Sequence, residues 1–450
     1  MSTKTIFARA SGQGKSAIAV YRLSGPGAFG IIHRITKMPL PSPRKATLRR
    51  IVIPETGHTL DEGLVILFPG PKSFSGEDLA ELHLHGSIAV ENELADLLLS
   101  QGAKPAEPGE FTLRAMQNNK LDLAQIEGLA DVLDAETKQQ RMQAIGQYGG
   151  RLSKQAASWR ESLLAALASF DVSIDFADEA EAPETALRAK EPIEALLINL
   201  KNSASEFSKA AMIRRGMNVA LIGRTNAGKS SLLNYLLGDD RAIVSPEAGT
   251  TRDVIEAALD VDGRRITLFD TAGLRDEASG SVEEEGMRRT RRTAQSADLR
   301  LILIDPLTDV PRETFELLEE GDIAVLTKQD LLDPSVHRRN DDFGLNPTVE
   351  HIGISSISGD GIERLTSLIA ARYDQLSPER SDVPLTRVRH VNAVNEAIVH
   401  LEASLQRIAT EPELAAEDIR LANRSLGRIV GVVDVEDVLG EIFSSFCIGK

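Results

Sequence analysis

Gly223-Arg-Thr-Asn-Ala-Gly-Lys-Ser230 carries the spacing G-x-x-x-x-G-K-S. The apolar run Met217-Asn-Val-Ala-Leu-Ile222 precedes it, and the helical stretch Ser231-Leu-Leu-Asn-Tyr-Leu-Leu237 follows. Strand, glycine-rich loop and helix in that order make a phosphate cradle. The loop turns its backbone N–H groups inward, and the helix N-terminus adds partial positive charge. Lys229 is expected to reach the β- and γ-phosphates of a nucleotide, and Ser230 to hold Mg2+.

Four further short motifs follow in order, most of them beside an apolar run. Gly249-Thr-Thr-Arg-Asp253 comes first, with Thr251 placed to close over Mg2+. Asp270, Thr271, Ala272 and Gly273 end the run Ile266-Thr-Leu-Phe269. A carboxylate at a strand end can hold the Mg2+ shell, and Gly273 can offer its N–H to the γ-phosphate. Thr327-Lys-Gln-Asp330 ends Ile323-Ala-Val-Leu326. Asp330 can accept hydrogen bonds from guanine N1–H and the exocyclic amine, a donor pair that adenine lacks, so the motif selects GTP. Lys328 can lay its stem across the base. Ser355, Ser356 and Ile357 follow Ile352-Gly-Ile354 and can contact guanine O6 through a backbone N–H. Five motifs in this order point to a GTP-binding domain.

Two features bear on hydrolysis. Leu274 stands where Ras-like GTPases carry a water-orienting Gln, so the attacking water needs another partner. Glu283, with Glu284 and Glu285, is the candidate; the alternative is that these acids cap the next helix. Asn226 in the loop can help bind a monovalent cation that supplies transition-state charge, with Arg252 and Arg275 as alternative cationic groups.

The elements that must position these groups alternate between mixed and helical. Residues 1–118 read as mixed α/β, with strands at Ser16–Leu23 and Leu64–Phe68. Glu81-Leu-His-Leu-His-Gly86 alternates, so His83 and His85 share a face; a strand with two ordinary histidines is the simpler reading than a metal site. Gly12-Gln-Gly14 reads as a turn. Ile126, Leu129, Ala130 and Leu133 recur at helical spacing, as do Leu152, Ala156, Trp159, Leu163, Leu167, Phe170 and Ile174. An acidic solvated loop over 175–183 follows, then a helix over 185–213. Helix returns in the stripe Val391, Val394, Ile398, Leu401, Leu405, Ile408 and in Leu414, Ala422, Leu426. The expected domains are 1–118, 119–213, 214–375 and 376–450, with one helical bundle interrupted by a nucleotide-binding insert.

Charge and composition narrow the partners. The net charge of −16 argues against broad electrostatic binding of nucleic acid by this chain alone. One cysteine excludes an internal disulfide framework and fits a reducing cytoplasm. No apolar run reaches the roughly 18 residues of a membrane span, and no signal-peptide core opens the chain, so the expected location is cytoplasmic.

With these residues in view, the chain resembles the MnmE (TrmE) family of tRNA-modifying GTPases. The resemblance rests on the loop at 223–231, on 249–253, on 270–275 and on Val282-Glu-Glu-Glu-Gly286. Outside the insert it rests on Phe74-Ser-Gly-Glu-Asp78, Pro108-Gly-Glu-Phe-Thr112, Asn119-Lys-Leu-Asp-Leu-Ala-Gln125 and Phe446-Cys-Ile-Gly-Lys450. It implies an N-terminal folate-binding and dimerisation domain, and a helical bundle interrupted by an inserted Ras-like P-loop G domain. The implied nucleotide contacts are Asn226, Ala227, Gly228, Lys229, Ser230, Ser231, Ser245, Pro246, Glu247, Ala248, Gly249, Thr250 and Thr251. They continue through Asp270 to Gly273, Thr327, Lys328, Asp330 and Ser355 to Ile357. Catalysis would fall to Glu283, Lys229 and Thr251, Mg2+ to Ser230 and Thr251, and K+ to Asn226, Ser245, Glu247 and Thr250. Arg22, Glu81, Lys120 and Lys450 would contact 5-formyl- or methylenetetrahydrofolate, with Cys447 either reactive or simply packed.

The implied activity is potassium-dependent GTP hydrolysis in a homodimer. With a MnmG-type flavoprotein, in a heterotetramer or larger complex, it would place an aminomethyl or carboxymethylaminomethyl group on C5 of the wobble uridine. The tRNA would be bound largely through that partner. Thr225, Thr327 and Ser356-Ile357 depart from the family pattern; Thr327 replaces the usual Asn, and its hydroxyl can supply part of a hydrogen bond back to the phosphate loop. A ribosome-assembly GTPase, the alternative, predicts an appended basic RNA-binding domain that the sequence does not display.

Overall fold

The computed structural model describes residues 4–175, 188–238, 241–243, 256–270, 294–308, 320–332, 349–377, 385–432 and 449. They fall into two compact units. One is built from Met1–Ala130, Gln147–Ile193 and Val399–Lys450, the other from Asp131–Gly146 and Glu194–Ile398.

The first unit opens with strands β1 (Ile6–Arg9) and β2 (Ser16–Ser24), helix α1 (Ala28–Thr36), and strands β3 (Thr47–Val52), β4 (Thr59–Phe68) and β5 (Leu79–Gly86). Helix α2 (Ile88–Ser100), strand β6 (Lys104–Pro105) and helix α3 (Glu110–Gln117) complete this part. The six strands form one sheet in the order β3-β4-β5-β2-β1-β6. Alternation decides its faces. Ala19, Tyr21 and Leu23 of β2 and Ala80, Leu82 and Leu84 of β5 turn to one side, where Ile31, Ile32 and Ile35 of α1 and Leu94, Leu97 and Leu98 of α2 cover them. Arg22 and Glu81, at the intervening positions, are only partly buried. Helix α2 starts where Ser87 Oγ accepts the Val90 N–H at 3.2 Å, an N-cap that satisfies one orphan donor.

The helical portion begins with α4 (Leu123–Asp134), α5 (Lys138–Tyr148) and α6 (Arg151–Asp175). Asp122 and Gln125 exchange side-chain and backbone hydrogen bonds of 2.9 and 3.1 Å, a capping box that starts α4. The stripe Leu152, Ala156, Trp159, Leu163, Leu167 and Phe170 is buried along α6 as expected. Helices α7 (Lys190–Ser205) and α8 (Phe207–Arg215) occupy the stretch read as one helix. The break falls at Glu206, after Ser205 turns its hydroxyl back onto the Asn202 carbonyl at 2.8 Å, a bond that competes with the helix ladder.

In the second unit, β7 (Met217–Ile222), α9 (Lys229–Leu237), β8 (Glu256–Val261), β9 (Arg264–Asp270), β10 (Leu299–Ile304), β11 (Ile323–Leu326) and β12 (Glu350–Gly353) precede α10 (Ile362–Leu376). Their sheet runs β12-β11-β10-β7-β9-β8, parallel except for the β8–β9 hairpin. Strands β10 and β11 are buried at every residue, because both faces are covered. Helices α8, α9 and α10 pack on one face. The turn of the hairpin seats on the start of α5: Gly263 O accepts the Gln139 N–H at 3.1 Å, and Arg265 pairs with Glu136 at 2.7 Å.

Helices α11 (Val388–Arg407) and α12 (Pro412–Val430) are the last elements among the described residues. Helix α12 packs on α6, where Arg160 Nε donates to Asn423 Oδ1 at 3.0 Å. Two residues of the expected stripes, Leu133 and Leu414, are exposed instead.

Candidate functional site

The phosphate loop leaves β7, the strand between β9 and β10 at the middle of its sheet. A side chain at Gly223 would put its Cβ 2.6 Å from the Leu303 carbonyl oxygen, so only glycine lets the chain turn so close to β10. Asn226 and Gly228 both adopt left-handed backbone, at φ 66° and 94°. Such a conformation next to right-handed residues points successive N–H groups into one concavity. Helix α9 begins at Lys229, with Gly228 as its N-cap. The Lys229 side chain is 4% exposed, and its ammonium donates to the Gly223 and Arg224 carbonyls at 2.6 and 2.8 Å. One charge is therefore held inside the loop against its Gly223 and Arg224 carbonyls, where a polyphosphate needs a cation. Asn226, Ser230 and Ser231 are exposed along the same stretch.

Asp270 ends β9 in register with Leu221, one residue before β7 runs into the loop. The backbone thus brings the Mg2+-site candidate beside Ser230's loop. Ser245, Pro246, Glu247, Ala248, Gly249, Thr250, Thr251, Thr271, Ala272, Gly273 and Glu283 lie outside the described residues, as do Arg252, Arg275, Glu284 and Glu285.

The base-recognition candidates come from the ends of β11 and β12. Thr327 is 2% exposed; its hydroxyl lies 2.9 Å from the Ala227 carbonyl and 3.2 Å from that of Ile304. It ties the end of β11 to the phosphate loop, the role expected of it. Ser355 Oγ donates to Asp330 Oδ1 at 2.6 Å and accepts the N–H groups of Ile357 and Ser358 at 3.2 Å. Asp330 and the Ile357 backbone are thereby joined through one buried hydroxyl, while the Ile357 side chain is 84% exposed. Lys328 sits in left-handed backbone and pairs with Asp305 Oδ2 at 2.6 Å. Burial pushes the Asp305 carboxyl up, but the Lys328 and Leu307 donors outweigh it and hold it below the usual carboxylate range. Asp305 belongs to none of the nucleotide motifs in the sequence. Its signal was an acid directly after the otherwise apolar Leu301-Ile-Leu-Ile304.

In the first unit the outer motifs converge. Arg22 and Glu81 face each other across β2 and β5 and pair at 2.9 Å. The Arg22 guanidinium also lies 5.5 Å from the Phe74 ring centroid and 5.9 Å from that of Phe111. Arg114 Nη1 bonds Glu77 at 3.0 Å and Nη2 bonds Glu110 at 2.7 Å; Asn118 Nδ2 donates to Ser75 O at 2.8 Å. Lys120 is exposed, and its ammonium donates to the Pro71 carbonyl at 3.0 Å. Arg22 and Glu81 stand together, then, with Lys120 on the adjoining loop. His85 pairs with Asp61 at 2.8 Å and His83 lies 3.4 Å from Glu81; among the described residues no cluster has a metal-binding arrangement. Cys447 and Lys450 lie outside the described residues, but Gly449 between them is buried, and a Cβ there would meet the Arg9 carbonyl oxygen at 2.1 Å.

The model of the MnmE helical domain matches residues 123–447, and that of the GTP-binding protein TrmE N-terminus matches residues 5–120. A tRNA modification GTPase MnmE of Parvibaculum lavamentivorans is 44% identical, with 99% of this chain and 100% of the relative aligned. The protein of the same name from Maricaulis maris is 44% identical, with 99% of both chains aligned. Among solved structures, the G domain of the T. maritima FeoB iron transporter is 26% identical and covers 35% of this chain and 98% of its own, at a TM-score of 0.26. Two family models that together span nearly the whole length, and relatives aligned end to end, place the chain in the MnmE (TrmE) family.

Proposed function

We propose that this chain is a GTPase acting in tRNA modification. The observation that carries the reading is the phosphate loop: left-handed Asn226 and Gly228, a glycine that no side chain can replace at 223, and a buried Lys229 at the helix start. Asp330, held by Ser355, supplies the acceptor for the guanine edge. Ser230 and Thr251 would hold Mg2+, which would supply positive charge beside the phosphates. Asn226, with Ser245, Glu247 and Thr250, would hold K+, which would supply positive charge at the site. Glu283 orients the attacking water.

The domain reading is N-terminal 1–118, helical 119–213 and 376–450, and G domain 214–375. Folate, as 5-formyl- or methylenetetrahydrofolate, binds the N-terminal domain and supplies one carbon. Arg22, the Phe74 ring beside it, Glu81 and Lys120 fit a ligand with an aromatic ring and carboxylates; Lys450 joins them. The chain works as a homodimer in the cytoplasm with a MnmG-type flavoprotein, which provides most of the tRNA surface. The product is an aminomethyl or carboxymethylaminomethyl group on C5 of the wobble uridine. Among the described residues no helix is long and apolar enough to cross a membrane.

Two measurements test this. Deleting the gene is expected to remove the wobble-uridine modification, and unchanged tRNA would sink the reading. Hydrolysis is expected to be faster in K+ than in Na+ for wild type and to lose that preference in Asn226→Ala; indifference of the wild type to the cation would remove the potassium assignment.

A further inference from the structure

Every residue of β10 is buried, and the strand runs directly into Asp305, which is itself 7% exposed. Its two carboxylate oxygens are held by different elements. Oδ1 accepts the Leu307 N–H at 3.0 Å, two residues along its own chain, and Oδ2 accepts from Lys328 Nζ at 2.6 Å, at the end of β11. Strands β10 and β11 are parallel neighbours with Ile304 opposite Leu326, so the acid and the lysine leave adjacent strand ends. Lysine stems at a surface ordinarily carry their ammonium out to water. Here the ammonium is drawn back to a buried acid while the side chain stays 35% exposed. The ammonium is thus anchored, and the stem leads from it to a backbone position two residues before Asp330.

We propose that Asp305 is a positioning residue for the guanine nucleotide: by binding Lys328 Nζ it keeps the Lys328 stem in place as one wall of the base site. The inference rests on the GTPase reading above. A wall against the base touches nothing that distinguishes GTP from GDP, so Asp305 acts on both nucleotides alike. It does not touch the γ-phosphate or the attacking water, so turnover at saturating GTP is unaffected.

The test titrates the full-length protein with fluorescent GDP and a fluorescent non-hydrolysable GTP analogue, using wild type, Asp305→Asn, Lys328→Met and the double variant. Asp305→Asn is expected to weaken both nucleotides by the same factor, about five- to tenfold for a charge-assisted bond that is partly solvated. Turnover at saturating GTP stays within about twofold of wild type. Because Asp305 works through Lys328, adding Asp305→Asn to Lys328→Met changes affinity by less than about twofold. Lys328→Met reproduces the loss by itself, which keeps the idea testable if Asp305→Asn folds poorly. Wild-type affinity in Asp305→Asn, a full additional loss in the Lys328→Met background, or a collapse of turnover at saturation would each overturn the proposal. A wild type that binds no guanine nucleotide removes the GTPase reading and this inference with it; normal wild-type binding with an indifferent Asp305→Asn removes this inference alone.

Discussion

Replacing Thr327 by Val keeps the shape of a buried residue and deletes only its hydroxyl. That hydroxyl lies 2.9 Å from the Ala227 carbonyl and 3.2 Å from the Ile304 carbonyl. The Ile304 carbonyl keeps a donor, since it also accepts the Thr327 N–H at 2.9 Å. The Ala227 carbonyl loses its Thr327 donor, and Ala227 is 3% exposed. A lost hydrogen bond with its acceptor left in a dry site costs about 1–2 kcal/mol. For a unit of this size, melting falls by about 2–4 °C per kcal/mol, so a drop of roughly 2–8 °C is expected. Ala227 belongs to the phosphate cradle, so the same strain appears in binding as a fall in GDP affinity of about five- to thirtyfold. Calorimetric melting and titration with fluorescent GDP read the two effects. Thr327→Ser keeps the hydroxyl and is expected to bind close to wild type, and Thr327→Asn, with a longer polar arm, to bind at least as tightly as wild type. If Thr327→Val melted and bound like wild type, the hydroxyl would not be tying β11 to the loop, and the reasoning would fail.

Three other outcomes follow from the same geometry. Lys229→Met removes the buried ammonium from the loop and is expected to abolish measurable hydrolysis, by at least about a hundredfold, while the far-ultraviolet spectrum stays native; retained turnover would refute the phosphate role. Asp61 accepts from the His85 backbone, the His85 ring and the Glu62 N–H; although burial pushes its carboxyl up, these bonds prevail and hold it below the ordinary 3.8. Its contribution to stability is therefore complete above the unfolded-state value and is lost as pH falls through the lower folded-state value. Acid unfolding curves of Asp61→Asn are expected to show a shallower loss below about pH 4 than wild type; superimposable curves would show that the pairing is inert. Gly449→Ala sets a Cβ against the Arg9 carbonyl at left-handed φ 103°, so displacement of the C-terminal segment, seen as faster proteolysis there and weaker folate binding, is expected; unchanged cleavage and binding would mean that the contact does not hold the segment.

Local chemistry was legible in the residue order. A phosphate loop needs glycine where backbone approaches backbone and a lysine at the helix start, and these demands fall on neighbouring residues, so Gly223, Gly228 and Lys229 announce the cradle. Alternation set His83 and His85 on one face of β5, and helical spacing marked the buried stripe of α6, because both periods are properties of the chain itself. The reach of neighbouring elements was not legible: Leu133 and Leu414 lie on apolar stripes and yet face solvent, since periodicity says which side is apolar but not how far the covering element extends. Pairings between distant residues were decided only by tertiary structure. Arg22 finds Glu81 across 59 residues, Thr327 finds Ala227 across 100 and Lys328 finds Asp305 across 23. Each depends on strand order and register, which are settled by burying whole faces at once. One residue of slip between β2 and β5 would turn Arg22 and Glu81 to opposite sides of their sheet.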